Sequence, residues 1–117
     1  KLLQIVLVGQ PELRDMLAST SLLQLNQRIT VRYHIDPLDR HETEAYFLHR
    51  LTVAGSNGRP TFSRLATRAI HRVSRGIPRL INAVCDKTLL CGYVEGRDHL
   101  GWRQVRRAVR ELKGTSR

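Results

Sequence analysis

One arginine stands where a cation is out of place. Gly76-Ile77-Pro78-Arg79 opens the apolar run Leu80-Ile81-Asn82-Ala83-Val84-Cys85, an order that puts Arg79 in the first turn of a buried helix. That turn carries unpaired N–H groups and the positive end of the helix macrodipole, which disfavour a cation by a few tenths to about 1 kcal/mol. The placement points to an anionic partner. Gly76 can end the preceding helix with positive φ, and Pro78 suits the first helical position because its missing N–H would be unpaired there anyway. The competing reading is an ion pair between Arg79 and Asp86 or another neighbouring carboxylate.

Other residue types that could do chemistry converge less well. His34, His41, His49, His71 and His99 share no metal-ligand spacing with Cys85 and Cys91, so surface or capping roles are expected of them and no metal site. Ser, Asp and His occur without a nucleophile elbow. There is no Gly-x-x-x-x-Gly-Lys-[Ser/Thr] segment to cradle phosphates, and no apolar strand ends in paired acids that could hold magnesium. The chain by itself should not hydrolyse ATP. The two cysteines lie six residues apart on one helix and face different ways, which argues against a bridge and for small core hydrophobes, as suits a cytosolic protein.

Two textures of chain position these residues. Leu2–Val8 is short, apolar and rich in β-branched residues, and stops at Gly9-Gln10-Pro11; it reads as a strand buried on both faces, of the kind found in parallel sheets. A short helix after Pro11 would turn Leu13, Met16 and Leu17 inward, with another turn or two over 22–27. Ile29–Ile35 alternates with period two and reads as a second strand, ended by Asp36-Pro37. From Asp39 the pattern is helical. Asp39 and Glu42 form a capping box for a helix reaching Gly55 that buries Ala45, Leu48 and Leu51. Ser63 caps the next, with Leu65, Ala66, Ala69, Ile70 and Val73 inward until Gly76. The third runs from Pro78 to about Val94 and is the central one. The last, about 101–113, carries Trp102, Val105, Ala108, Val109 and Leu112 at helical spacing. The fold class is therefore an α/β remnant of two strands and one or two short helices over 1–36, followed by an all-α four-helix unit over 37–114 and a tail, 115–117.

The 117 residues leave room for a modest core, and 41% apolar content supports a folded chain. With 20 Lys and Arg against 10 Asp and Glu, the net charge is +10, which makes an anionic partner plausible. Half of it sits in 97–117. There Arg103, Arg106, Arg107 and Arg110 form a stripe on the last helix that is either a solvated face or a docking surface for nucleic acid, acidic lipid or an acidic protein. No run approaches the length of a membrane span or of a signal peptide. The missing initiator Met and the two isolated strands suggest a piece of something longer.

Gly-x-Pro-Arg-x-x-Asn over 76–82 resembles the sensor 2 motif of AAA+ ATPases. Taken with Leu-Val-Gly-Gln-Pro-Glu-Leu (7–13), Leu-Asn-Gln-Arg-Ile (25–29) and Pro37-Leu38, the chain resembles the second half of an AAA+ module, and more closely the ATPases of the general secretion pathway protein A group. That resemblance covers nearly the whole chain. It implies a helical lid from which Arg79, presented by Gly76 and Pro78, reaches the γ-phosphate of ATP. Gln10 would stand at sensor 1, its alternative being a loop glutamine before a proline. Arg28 would be the arginine finger offered to a neighbouring subunit, its alternative a cation that suits a helix C-terminus. In the full-length protein the resemblance implies ATP and Mg2+ as ligands, a homo-oligomeric ring, a membrane-associated secretion partner and a place in the cytoplasm or at the cytoplasmic face of the bacterial inner membrane. For this piece alone it implies no tightly bound ligand. Its bare strands would pair or swap between copies, giving a dimer. The rival function is a basic nucleic-acid-binding module from a transposition or replication-initiation relative. Weak, non-specific binding to nucleic acid suits the charge, but no base-reading or stacking pattern is present.

Overall fold

The computed structural model describes residues 3–115 and separates into two compact units, Lys1–Ile35 and Asp36–Arg117. In the first unit, α1 (Glu12–Leu17) and α2 (Leu23–Arg28) are joined through a 3-10 turn, Thr20–Leu22. Glu12 and Asp15 sit in the first turn of α1, where the dipole favours acids. Leu17 is buried, whereas Met16, expected inward with it, is exposed.

The strands expected over Leu2–Val8 and Ile29–Ile35 are not formed. Leu2 lies outside the described residues; 3–8 and 29–35 have no regular secondary structure, and Ile5, Val6, Val8, Val31, Tyr33 and Ile35 are exposed. A strand exists only by pairing its N–H and C=O groups with a neighbour, and among the described residues these segments have none. The β-branched pattern alone does not supply one. The strands that are present lie elsewhere, in the second unit.

That unit is the one expected to be helical. Its helices are α3 (Arg40–Val53), α4 (Arg64–Ser74), α5 (Pro78–Glu95) and α6 (Trp102–Thr115), with two-residue strands β1 (Thr61–Phe62) and β2 (His99–Leu100). The strands pair in parallel, Thr61 with His99 and Phe62 with Leu100. Asp39 and Glu42 complete the capping box of α3, at 2.8 and 3.0 Å, and the Glu42 N–H holds the Asp39 carboxyl below its ordinary pKa. Ser63 caps α4 through the Ala66 N–H, and Gly96 ends α5 in the left-handed region. α5 packs against α3, α4 and α6. Phe47, Ala66, Ala69, Ile70, Ile81, Val84, Cys85 and Val105 form the core. Burial pushes the Cys85 thiol up to about 12, with Asp86 adding to it, and raises that of Cys91. Both thiols are free.

Three faces differ from expectation. α4 buries Ala66, Ala69 and Ile70 as expected but with Thr67 and Ser74, and leaves Leu65 and Val73, at the edges of that face, exposed. α3 turns Thr43 and Phe47 inward and not Ala45 and Leu48, because Phe47 packs on Phe62, ring centroids 4.9 Å apart, and an aromatic ring buries more area than Ala45 could. α6 leaves Trp102 42% exposed, its ring covered by the guanidinium groups of Arg103 and Arg106 at 5.9 and 6.0 Å. Buried Gln104 takes the inward position near the start of α6. Its amide oxygen accepts the Gly101 N–H at 2.8 Å and its amide nitrogen donates to Glu95 at 3.1 Å. That bond, reinforced by Arg107, holds the Glu95 carboxyl below its ordinary pKa. Among the described residues no helix is long and apolar enough to cross a membrane.

Candidate functional site

The turn before α5 is built from backbone. Ser74, fully buried, donates from its hydroxyl to the His71 carbonyl and accepts the Gly76 N–H, both at 3.3 Å. Arg75 and Gly76 follow with φ of 57° and 75°; two successive left-handed residues reverse the chain sharply at the end of α4. Gly76 is required twice over. Positive φ favours it, and a Cβ there would lie 1.9 Å from the Leu38 carbonyl oxygen.

Leu38 fastens the turn from outside. Its N–H donates to the Gly76 carbonyl at 2.8 Å, and its own carbonyl lies 3.2 Å from Nε2 of His71. The stretch before α3 is thus tied to the stretch before α5. His71, half-buried and so placed, has a specific partner and is not one more surface histidine. The Pro37-Leu38 pair and the glycine of Gly-x-Pro were the available signals, but nothing in their spacing says that they meet.

Ile77 then starts α5 with extended backbone, its carbonyl accepting the N–H groups of Leu80 and Ile81, both at 2.9 Å, with Pro78 in the first turn and no side chain capping this end. Arg79 is exposed in that first turn. It makes no hydrogen bond or ion pair among the described residues, and the pair with Asp86 is not formed. One turn further, Asn82 accepts a hydrogen bond from the Tyr46 hydroxyl at 3.0 Å, joining α3 to α5. The Arg79 turn is therefore held on two sides, by Leu38 and by Tyr46, while the Arg79 side chain itself is uncommitted. An exposed, uncommitted guanidinium presented from a fixed turn at a positive helix end is suited to receive an oxyanion.

Gln10 and Arg28 belong to the first unit. Gln10 is exposed, follows an irregular segment and not a strand, and its carbonyl accepts the Leu13 N–H at 2.8 Å to start α1. Arg28 is exposed as the last residue of α2. The structure thus groups Gly76, Pro78 and Arg79 in one turn, with Gln10 and Arg28 at either end of the helices of the other unit. The described residues hold no cluster of three or more His, Cys, Asp or Glu that could bind a metal ion.

No family model matches the chain, and no solved structure does. Among curated proteins it is 46% identical over 114 residues to general secretion pathway protein A of Aeromonas hydrophila, a match that takes in 97% of this chain and 21% of that protein. Identity at this level along nearly the whole sequence places the chain with general secretion pathway protein A, as the counterpart of a segment about one fifth as long as that protein.

Proposed function

We propose that residues 37–114 are the lid of an AAA+ ATPase serving a secretion pathway, and that residues 1–36 are the end of its nucleotide-binding subdomain. The observation that carries this reading is Arg79: a cation without a partner among the described residues, in the first turn of α5, on a turn pinned by Leu38 and Asn82. In a ring of full-length subunits Arg79 would meet the γ-phosphate of ATP. Gln10 would stand at sensor 1 and orient water, and Arg28 would be the finger offered to the nucleotide of the neighbouring subunit. ATP with Mg2+ would supply the anion and the phosphoryl group. What this chain contributes is placement: a planar guanidinium presented from a turn whose backbone is held by Leu38.

The test is Arg79→Ala in the full-length protein. Hydrolysis should fall at least tenfold with the fold intact, and Arg79→Lys should rescue poorly because a point charge does not reproduce the planar fork. Wild-type turnover in Arg79→Ala would return Arg79 to the role of a solvated cation.

A further inference from the structure

From Ala45 to Cys85 the chain carries seven arginines and no Asp or Glu. Three of them, Arg64, Arg68 and Arg72, recur every fourth residue along α4 and so form one row, about 6 Å apart along the axis. The opposite side of α4 is the buried one, with Ala66, Thr67, Ile70 and Ser74, which directs the row to solvent; all three are exposed, as is Arg75 just past the helix end. None of the four has an ion-pair or hydrogen-bond partner to its side chain among the described residues. The stripe on α6 is different. There Arg107 is committed to Glu95 at 3.0 Å and Glu111 at 3.2 Å, Arg103 and Arg106 lie against Trp102, and Arg110 is left as a single exposed cation without a row. Like charges four residues apart destabilise a helix, so the α4 row stores a repulsion that an extended anionic surface would relieve.

We propose that this face of α4 docks on an anionic phospholipid surface. Two features favour lipid over a nucleic acid. The exposed face carries no aromatic ring to stack on a base and no Asn or Gln to read one. It does carry Leu65, 55% exposed, beside Arg68 and Arg72 on the helix surface. An apolar side chain set among arginines gains from the boundary of headgroups and acyl chains and gains nothing against a phosphodiester backbone. Each cation close to such a surface adds about fivefold to partitioning, so a row of three adds on the order of a hundredfold. This inference is independent of the nucleotide-sensing role of Arg79, which lies on α5.

The experiment is sedimentation of the 117-residue chain with vesicles of mixed phosphatidylglycerol and phosphatidylcholine, against phosphatidylcholine alone. The neutral vesicles measure what the exposed apolar segments 3–8 and 29–35 contribute. Binding should favour the anionic vesicles, weaken with salt, and fall at least tenfold in the triple variant Arg64→Gln, Arg68→Gln, Arg72→Gln, with helical circular dichroism retained. The triple Arg103→Gln, Arg106→Gln, Arg110→Gln should stay within about twofold of wild type. Leu65→Ser should weaken vesicle binding and leave binding to a DNA duplex unchanged. Equal losses in the two triples, equal binding to neutral vesicles, or tighter binding to duplex than to anionic vesicles would each overturn the proposal.

Discussion

Gly76 and Leu38, 38 residues apart in sequence, meet backbone to backbone. The Leu38 N–H donates to the Gly76 carbonyl at 2.8 Å, and the Leu38 carbonyl lies where any Cβ on residue 76 would have to be. Arg79 sits three residues beyond this contact, so whatever moves Leu38 moves the base from which the guanidinium is presented.

Gly76→Ala should therefore be costly for two separable reasons. Gly96 is the control: its φ is also positive, 67°, but nothing lies within 4 Å of its would-be Cβ. Gly96→Ala should lose only the left-handed penalty, about 1 kcal/mol. Gly76→Ala should lose at least twice that, because Leu38 must also be displaced. Urea unfolding of both variants measures the difference, and equal losses would refute the close approach.

Tyr46→Phe should cost about 1 kcal/mol by deleting the hydrogen bond to Asn82. Combined with Asn82→Ala it should be less than additive. A double-mutant cycle read by thermal or urea unfolding checks this; strict additivity would mean that the bond contributes nothing.

Thr43 is fully buried with its hydroxyl unpaired among the described residues. Thr43→Val keeps the shape and removes the orphaned group, whose burial costs about 1–3 kcal/mol. The variant should be as stable as wild type or more so by about 1 kcal/mol, and a clear loss in midpoint denaturant would show that the hydroxyl has a partner.

Cys85 makes the second unit sensitive to alkali. Its folded-state thiol titrates near 12 against 9.0 when free, so the folded form holds its proton more tightly. The stabilisation is complete below pH 9 and is lost as pH rises from about 9 towards 12. In that window wild-type stability should fall faster than that of Cys85→Ala, by up to about 1.4 kcal/mol per pH unit. At neutral pH the same thiol should resist alkylation until the protein unfolds.

Much of the helical unit was legible in the sequence because its signals are local. Asp39 and Glu42, Ser63, Pro78 and Gly96 act within one turn of their own backbone, and they mark helix ends wherever they occur. The position of Arg79 was equally readable, since Gly-x-Pro fixes the turn that precedes it. What the tertiary structure decided are the relationships that need a distant partner. Ile29–Ile35 alternates as a strand should, yet forms none, because alternation states which face could be buried and not what would pair with it. Phe47 outranked Ala45 and Leu48 once Phe62 was beside it. The arginines of α4 and α6 look alike as stripes; only the folded chain brings Glu95 and Glu111 to Arg107 and leaves Arg64, Arg68 and Arg72 without acids among the described residues. Local geometry is written in neighbouring residues, whereas burial and charge compensation depend on which surfaces the fold brings together.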